Sequence, residues 1–99
     1  MRSYEFSERA LADLANASEW YDGLRAGLGR QFVDAVVAAI RIARERPTSC
    51  PLVRNGVRAV RCKRFPYRVY FEAHDDRIDV LAVYHTARNT RRWDDPNRP

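Results

Sequence analysis

Long apolar runs are missing from this 99-residue sequence. Nothing approaches the ~18 consecutive apolar residues that span a bilayer, and no secretory apolar region follows Met1. The setting this predicts is cytoplasmic. Cysteine is scarce as well. Cys50 and Cys62 are too few for a disulfide framework and lack metal-ligand spacing, so Cys62 reads as a small core residue and Cys50 as a loop thiol. Lysine is nearly absent: of 18 basic residues only Lys63 is not arginine. Acid disappears altogether between Glu45 and Glu72, a span that carries Arg46, Arg54, Arg58, Arg61, Lys63, Arg64 and Arg68.

What is present suffices for one folded domain, residues 1–99. Apolar residues make up 45% and aromatics 11%, enough for a core and against disorder, in a chain too short to divide into two. The net charge is +5 and the pI about 9.8. Arginine presents a flat fork of donors that fits phosphate and carboxylate, so an anionic partner suits this balance.

The apolar spacing predicts the elements. "MRSYEF" alternates Tyr4 and Phe6 with polar neighbours and reads as a strand. Ser7 is placed to cap a helix, with Glu8 in the first turn. Leu11, Leu14, Ser18 and Tyr21 then fall three or four apart, with Ala10, Ala17 and Leu24 beside them, for a helix to about Asp22. "DGLRAGLG" holds three of the four glycines and breaks the chain. Leu28, Phe32, Ala35, Val36, Ala39 and Ala43 repeat at helical spacing up to Pro47. Val33, Val37, Ile40 and Ile42 widen that stripe, which predicts a helix buried over much of its girth.

After Asn55-Gly56 the period drops to two. Strands are predicted over 57–64, 67–73 and 78–84, the last two joined by a tight "HDDR" turn. "DVLAV" is apolar throughout its last four residues, as in a strand covered on both faces. The tail "HTARNTRRWDDPNRP" is placed over the sheet edge. The fold class is α+β, in the order β-α-α-β-β-β, with a helical hairpin packed on one face of a small, mainly antiparallel sheet.

Parity then assigns faces. Val60, Cys62, Val69 and Phe71 turn toward the helices, so Arg61, Lys63, Arg68 and Tyr70 gather on the opposite, open face, where His85 can join them. An aromatic among basic side chains suits nucleic acid or an acidic peptide, although a solvated basic strand face accounts for the charge equally well. Other chemistry is thin. His74, Asp75 and Asp76 are turn residues first, "GLRAGLG" lacks the context of a phosphate loop, and Trp20-Tyr21 reads as core packing. Neither a cofactor nor a metal is expected.

The segments "FPYRVYF" and "IDVLAVYHTAR…W", behind a hairpin carrying "WYDGLRAGLGRQF", resemble the RelE/ParE superfamily of type II toxins over nearly the whole chain. Their phrasing is closer to the ParE-like, plasmid-stabilisation group, with Thr90 departing where that group carries proline. The resemblance implies a toxin that poisons DNA gyrase by binding, that pairs with an acidic, partly disordered antitoxin in a hetero-oligomer, and that is neutralised by it. Arg58, Arg61, Lys63, Arg64, Arg68, Tyr70, Arg88 and Trp93 are then the partner-binding candidates. The alternative is a RelE-like, ribosome-dependent mRNA endonuclease. There Arg61 and Arg68 balance phosphate charge, and His85 (or Tyr70) moves protons. An inactive homologue that only binds its antitoxin is the third reading.

Overall fold

The computed structural model describes residues 1–87. Among them the elements are β1 (Ser3–Phe6), α1 (Glu8–Leu24), α2 (Leu28–Glu45), a short 3-10 turn at Pro47–Ser49, β2 (Leu52–Arg54), β3 (Val57–Arg61), β4 (Tyr67–Ala73) and β5 (Arg77–His85). The sheet runs β1-β5-β4-β3-β2; β1 lies parallel to β5 and the other pairs are antiparallel. The α+β class and the order of elements agree with the periodicity, with the three-residue β2 added. The strand expected over 57–64 stops at Arg61.

Both helices start and stop for local reasons. The Ser7 Oγ accepts the Ala10 N–H at 3.0 Å and donates to the Leu81 carbonyl at 3.0 Å, so one hydroxyl caps α1 and ties it to the sheet. Between the helices only residues 25–27 leave the helical path, with Gly27 in the left-handed region at φ 87°. A Cβ on Gly29 would lie 2.4 Å from the Ser18 carbonyl oxygen, and the Gly29 N–H donates to the Asp22 carboxylate at 2.7 Å. The hairpin closes that tightly only because no side chain stands there.

The core lies between the hairpin and one sheet face. Ala10, Ala17 and Tyr21 of α1 and Phe32, Val36, Ala39, Ile40 and Ala43 of α2 meet Val60, Val69, Phe71, Ile78, Val80 and Val83. Phe65, Tyr21 and Phe32 interlock, with ring centroids 4.9 to 5.4 Å apart. The stripe on α1 is therefore Ala10–Leu14–Ala17–Tyr21, and Leu11, 53% exposed, lies outside it. Trp20, expected in the core, is 60% exposed and only edges Tyr21. Nor is α2 buried over much of its girth: Val37 is 45% exposed, because no layer among the described residues packs on the far side of the hairpin.

Where β1 ends at Phe6, α1 takes over the edge of β5. The Val83 N–H donates to the Asp13 carboxylate at 3.0 Å, which satisfies a strand-edge group that would otherwise lack a strand partner. Arg44, near the end of α2, lies over the Tyr4 ring at 5.0 Å and donates to the Arg2 carbonyl, so α2 is anchored to β1.

Candidate functional site

Register decides what the far face of the sheet, away from the helices, presents. Arg61 lies directly opposite Arg68, and Arg68 opposite Tyr84; one row over, Ala59, Tyr70 and Ala82 stand abreast. Farther along, Glu5, Asp79 and Glu72 are neighbours on β1, β5 and β4. The face is graded: acidic at one end, apolar in the middle and basic at the other.

The middle corrects the sequence reading. Tyr70 was expected on an open surface, yet it is 1% exposed and packs with Val57, Ala59, Ala82 and Tyr84 in a second apolar cluster, Val53 and Leu81 leaning against it. The Tyr70 and Tyr84 rings lie 5.6 Å apart, and the Arg9 guanidinium reaches the Tyr84 ring at 5.1 Å. A phenol enclosed in this way is a core side chain, not a stacking platform.

His85 is the second correction. It pairs with Tyr67 at the end of β5, with ring centroids 5.2 Å apart, and Tyr67 in turn touches Phe32 at 4.8 Å. His85 therefore stands on the helix side, with the sheet between it and Arg61 and Arg68. The cause is a bulge. Phe71 pairs with Val80 and Tyr70 with Ala82, which leaves Leu81 as an extra residue, and one extra residue reverses the faces of everything after it. Counting by two from Asp79 would put His85 on the far side; the bulge puts it on the near one.

The remaining candidates divide. Arg61 is exposed and Arg68 half-buried, at the basic end. Lys63 and Arg64 occupy the exposed turn between β3 and β4, where Arg64 takes a left-handed φ of 71°, a conformation uncommon outside glycine. The turn is held by the Cys62 N–H on the Tyr67 carbonyl at 2.9 Å and by Phe65 buried beneath it. Arg58 faces the other way. It pairs with Phe71 on the helix side and donates to the Cys50 carbonyl at 2.7 Å, bracing the chain after α2. Arg88, Trp93 and the placement of the tail lie outside the described residues.

A groove of about 410 Å³ opens beside the basic end, lined by Ile42, Cys50, Pro51, Val53, Val60, Arg61 and Arg68 among others. Sequence reasoning did not foresee it, since it forms where the short β2 leaves β3 uncovered. Cys50 and Cys62 are both buried. Burial pushes the Cys62 thiol up to about 11 and raises Cys50 as well, so neither is poised as a nucleophile. At the acidic end Glu72, His74 and Asp79 bring ligand atoms within 4.8 Å of one another. The Asp79 oxygens there already accept from Arg77 and meet His74, each at 3.0 Å. The bond from Arg77, foremost, holds the Asp79 carboxyl below its usual range.

Chemically, the basic end can hold an anion; the phenols nearest it on that face, Tyr84 in the Arg68 row and Tyr70 one row over, are both 1% exposed. The sequence matches the family model for the ParE toxin of type II toxin-antitoxin system, parDE, over residues 4–90. No curated protein matches it significantly. A solved structure described as a chromosomal ParDE TA system from P. aeruginosa superposes with a TM-score of 0.73 at 21% identity, over 86% of this chain and 96% of that one. That likeness speaks for the fold. With the match running from the first strand past the last, the chain belongs to the ParE toxin family of type II toxin–antitoxin systems.

Proposed function

We propose that this toxin acts in the cytoplasm by binding DNA gyrase, not by cutting RNA, and that a cognate acidic antitoxin neutralises it. The observation that carries the reading is the separation of His85 from Arg61 and Arg68 by the sheet. Cleavage through a 2′-hydroxyl needs a proton acceptor and phosphate-balancing cations around one phosphate; here the imidazole and the guanidinium pair occupy opposite faces. Binding asks only for a surface, and an arginine pair on an exposed strand end supplies one. Family membership supports the same reading. Among the described residues no helix is long and apolar enough to cross a membrane.

The test is a supercoiling and cleavage assay with gyrase and purified, antitoxin-free protein. Inhibition with accumulated cleaved DNA is the expected result. Uninhibited gyrase, from protein that arrests growth on induction, would overturn the proposal and return the endonuclease alternative. Protein that fails to arrest growth at all would indicate an inactive homologue.

A further inference from the structure

Cations without acidic partners collect at one place. Among the described residues the arginine ion pairs lie elsewhere: Arg30 with Asp34, Arg41 with Glu45, and Arg77 with Asp76 and Asp79. Arg61, Lys63, Arg64 and Arg68 have none among those residues, and the sequence offers no acid between Glu45 and Glu72 to supply one locally. Arg61 and Arg68 stand directly opposite in register, a like-charge arrangement that is unfavourable in a sheet. Lys63 and Arg64 follow in the exposed turn, where Arg64 keeps a left-handed φ of 71°. Non-glycine residues in that backbone state cluster at ligand clamps and switch regions. Four repelling charges on one strand pair and its turn are relieved together by a polyanion. The graded face fixes where it lies. With Glu5, Asp79 and Glu72 abreast at the other end, a polyanion crosses the basic end and the turn and does not run the length of the sheet.

We propose that Arg61, Lys63, Arg64 and Arg68 grip the phosphate backbone of the DNA that gyrase holds, so that the toxin binds the gyrase–DNA complex through the DNA as well as through the enzyme. The proposal rests on the gyrase reading above. Charge complementarity selects the occupant: duplex DNA carries one negative charge per ~1.7 Å of its axis, and the guanidinium fork matches a phosphate's oxygens. A strand end and a tight turn bring no helix or ribbon to a groove, so the contact positions the toxin and reads no sequence. Four phosphate contacts hold DNA only weakly at physiological salt. Joined to a protein contact on gyrase, they act as the second arm of a linked pair and raise affinity for the complex above that for either part.

The probe is a fluorescein-labelled DNA duplex of about 20 base pairs, titrated with the antitoxin-free chain and followed by anisotropy between about 50 and 200 mM salt. Wild type is expected to lose roughly 100-fold in affinity over that range, a slope of about −3.6 for four phosphates. Arg61→Gln/Arg68→Gln and, separately, Lys63→Gln/Arg64→Gly should each bring the slope to about −1.8. Glycine suits the Arg64 backbone, so the second variant keeps its fold. Arg25→Gln/Arg30→Gln removes the same charge from the exposed side of the helical hairpin and should leave the slope unchanged. In the gyrase cleavage assay each of the two site variants should need at least about tenfold more protein for half-maximal trapping. A slope that falls equally in the hairpin control, tighter binding of an acetyl-octaglutamate-amide peptide than of the duplex, or no saturable DNA binding at the lowest salt would each overturn the proposal. The two readings fail separately. Gyrase untouched by a chain that holds the duplex through these side chains refutes the gyrase reading alone, and gyrase trapped equally by wild type and both site variants refutes the DNA contact alone.

Discussion

Replacing Tyr70 by alanine distinguishes an open far face from a packed one. An exposed tyrosine among arginines could be lost within about 0.5 kcal/mol. The side chain here is 1% exposed and in contact with a second buried ring. Aromatic side chains bury roughly 200 Å², which at about 25 cal/mol per Å² gives ~5 kcal/mol. Compactness of the unfolded chain trims that figure by roughly 10–40%. The expected loss is therefore about 3–5 kcal/mol, within the range for large aromatic truncations and a major share of the ~5–15 kcal/mol that holds a small domain together. With a urea slope of about 1.5 kcal/mol/M, the midpoint should fall by roughly 2–3 M. Circular dichroism during urea titration measures it. Tyr70→Phe, which keeps the ring, should cost much less than Tyr70→Ala, and Arg68→Ala should stay near wild type. A Tyr70→Ala midpoint that coincides with that of Arg68→Ala would refute the packed far face. The same reasoning warns that lost toxicity in Tyr70→Ala reports unfolding, not a binding contact.

His85→Ala is expected to arrest growth as well as wild type does when the soluble protein is matched in amount; loss of arrest from a folded variant would support nuclease chemistry. Gly29→Ala gains helix propensity of up to ~1 kcal/mol, but its Cβ would lie 2.4 Å from the Ser18 carbonyl oxygen. We expect a net destabilisation of about 1–3 kcal/mol from the forced shift, and a melting temperature at or above wild type would contradict it. The Cys62 thiol is raised from 9.0 to about 11 in the fold. Its contribution to stability is thus complete below pH 9 and is lost as pH rises through 11, with an upper limit of ~3 kcal/mol. Cys62→Ala should show a flatter stability profile over that window, measured by urea titration at each pH. At pH 8 iodoacetamide should leave both native cysteines unlabelled until urea unfolds the chain; rapid labelling would show that the thiols are accessible.

The helices and the parity of β3 and β4 were legible because they are local. Ser7 caps α1 as its position before the apolar stripe requires, and Val60 and Val69 face the helices as alternation requires. The burial of Tyr70 was less so, although a hint was present. "DVLAV" predicted a strand covered on both faces, and β5, placed between β1 and β4, has Val80 and Val83 on one side and Ala82 and Tyr84 on the other. With β5 buried on both faces, the far-face tyrosine of the adjacent strand β4 cannot be left in water. Arg58 escaped because its charge suggested a partner, while its register placed it over the Cys50 carbonyl.

The sequence by itself determined the α+β class, the hairpin and its glycine break, the basic span from Arg46 to Arg68, and the motifs that place the chain in its family. These depend on spacing and on side-chain type, which the chain carries at every point. Tertiary structure alone decided which candidates share a surface. Pairing put Arg61 opposite Arg68, the brevity of β2 opened the groove beside them, and one bulged residue, Leu81, moved His85 to the other side of the sheet. A bulge is selected by the fit between two strands, not by either strand's own pattern, so counting along one strand cannot reveal it.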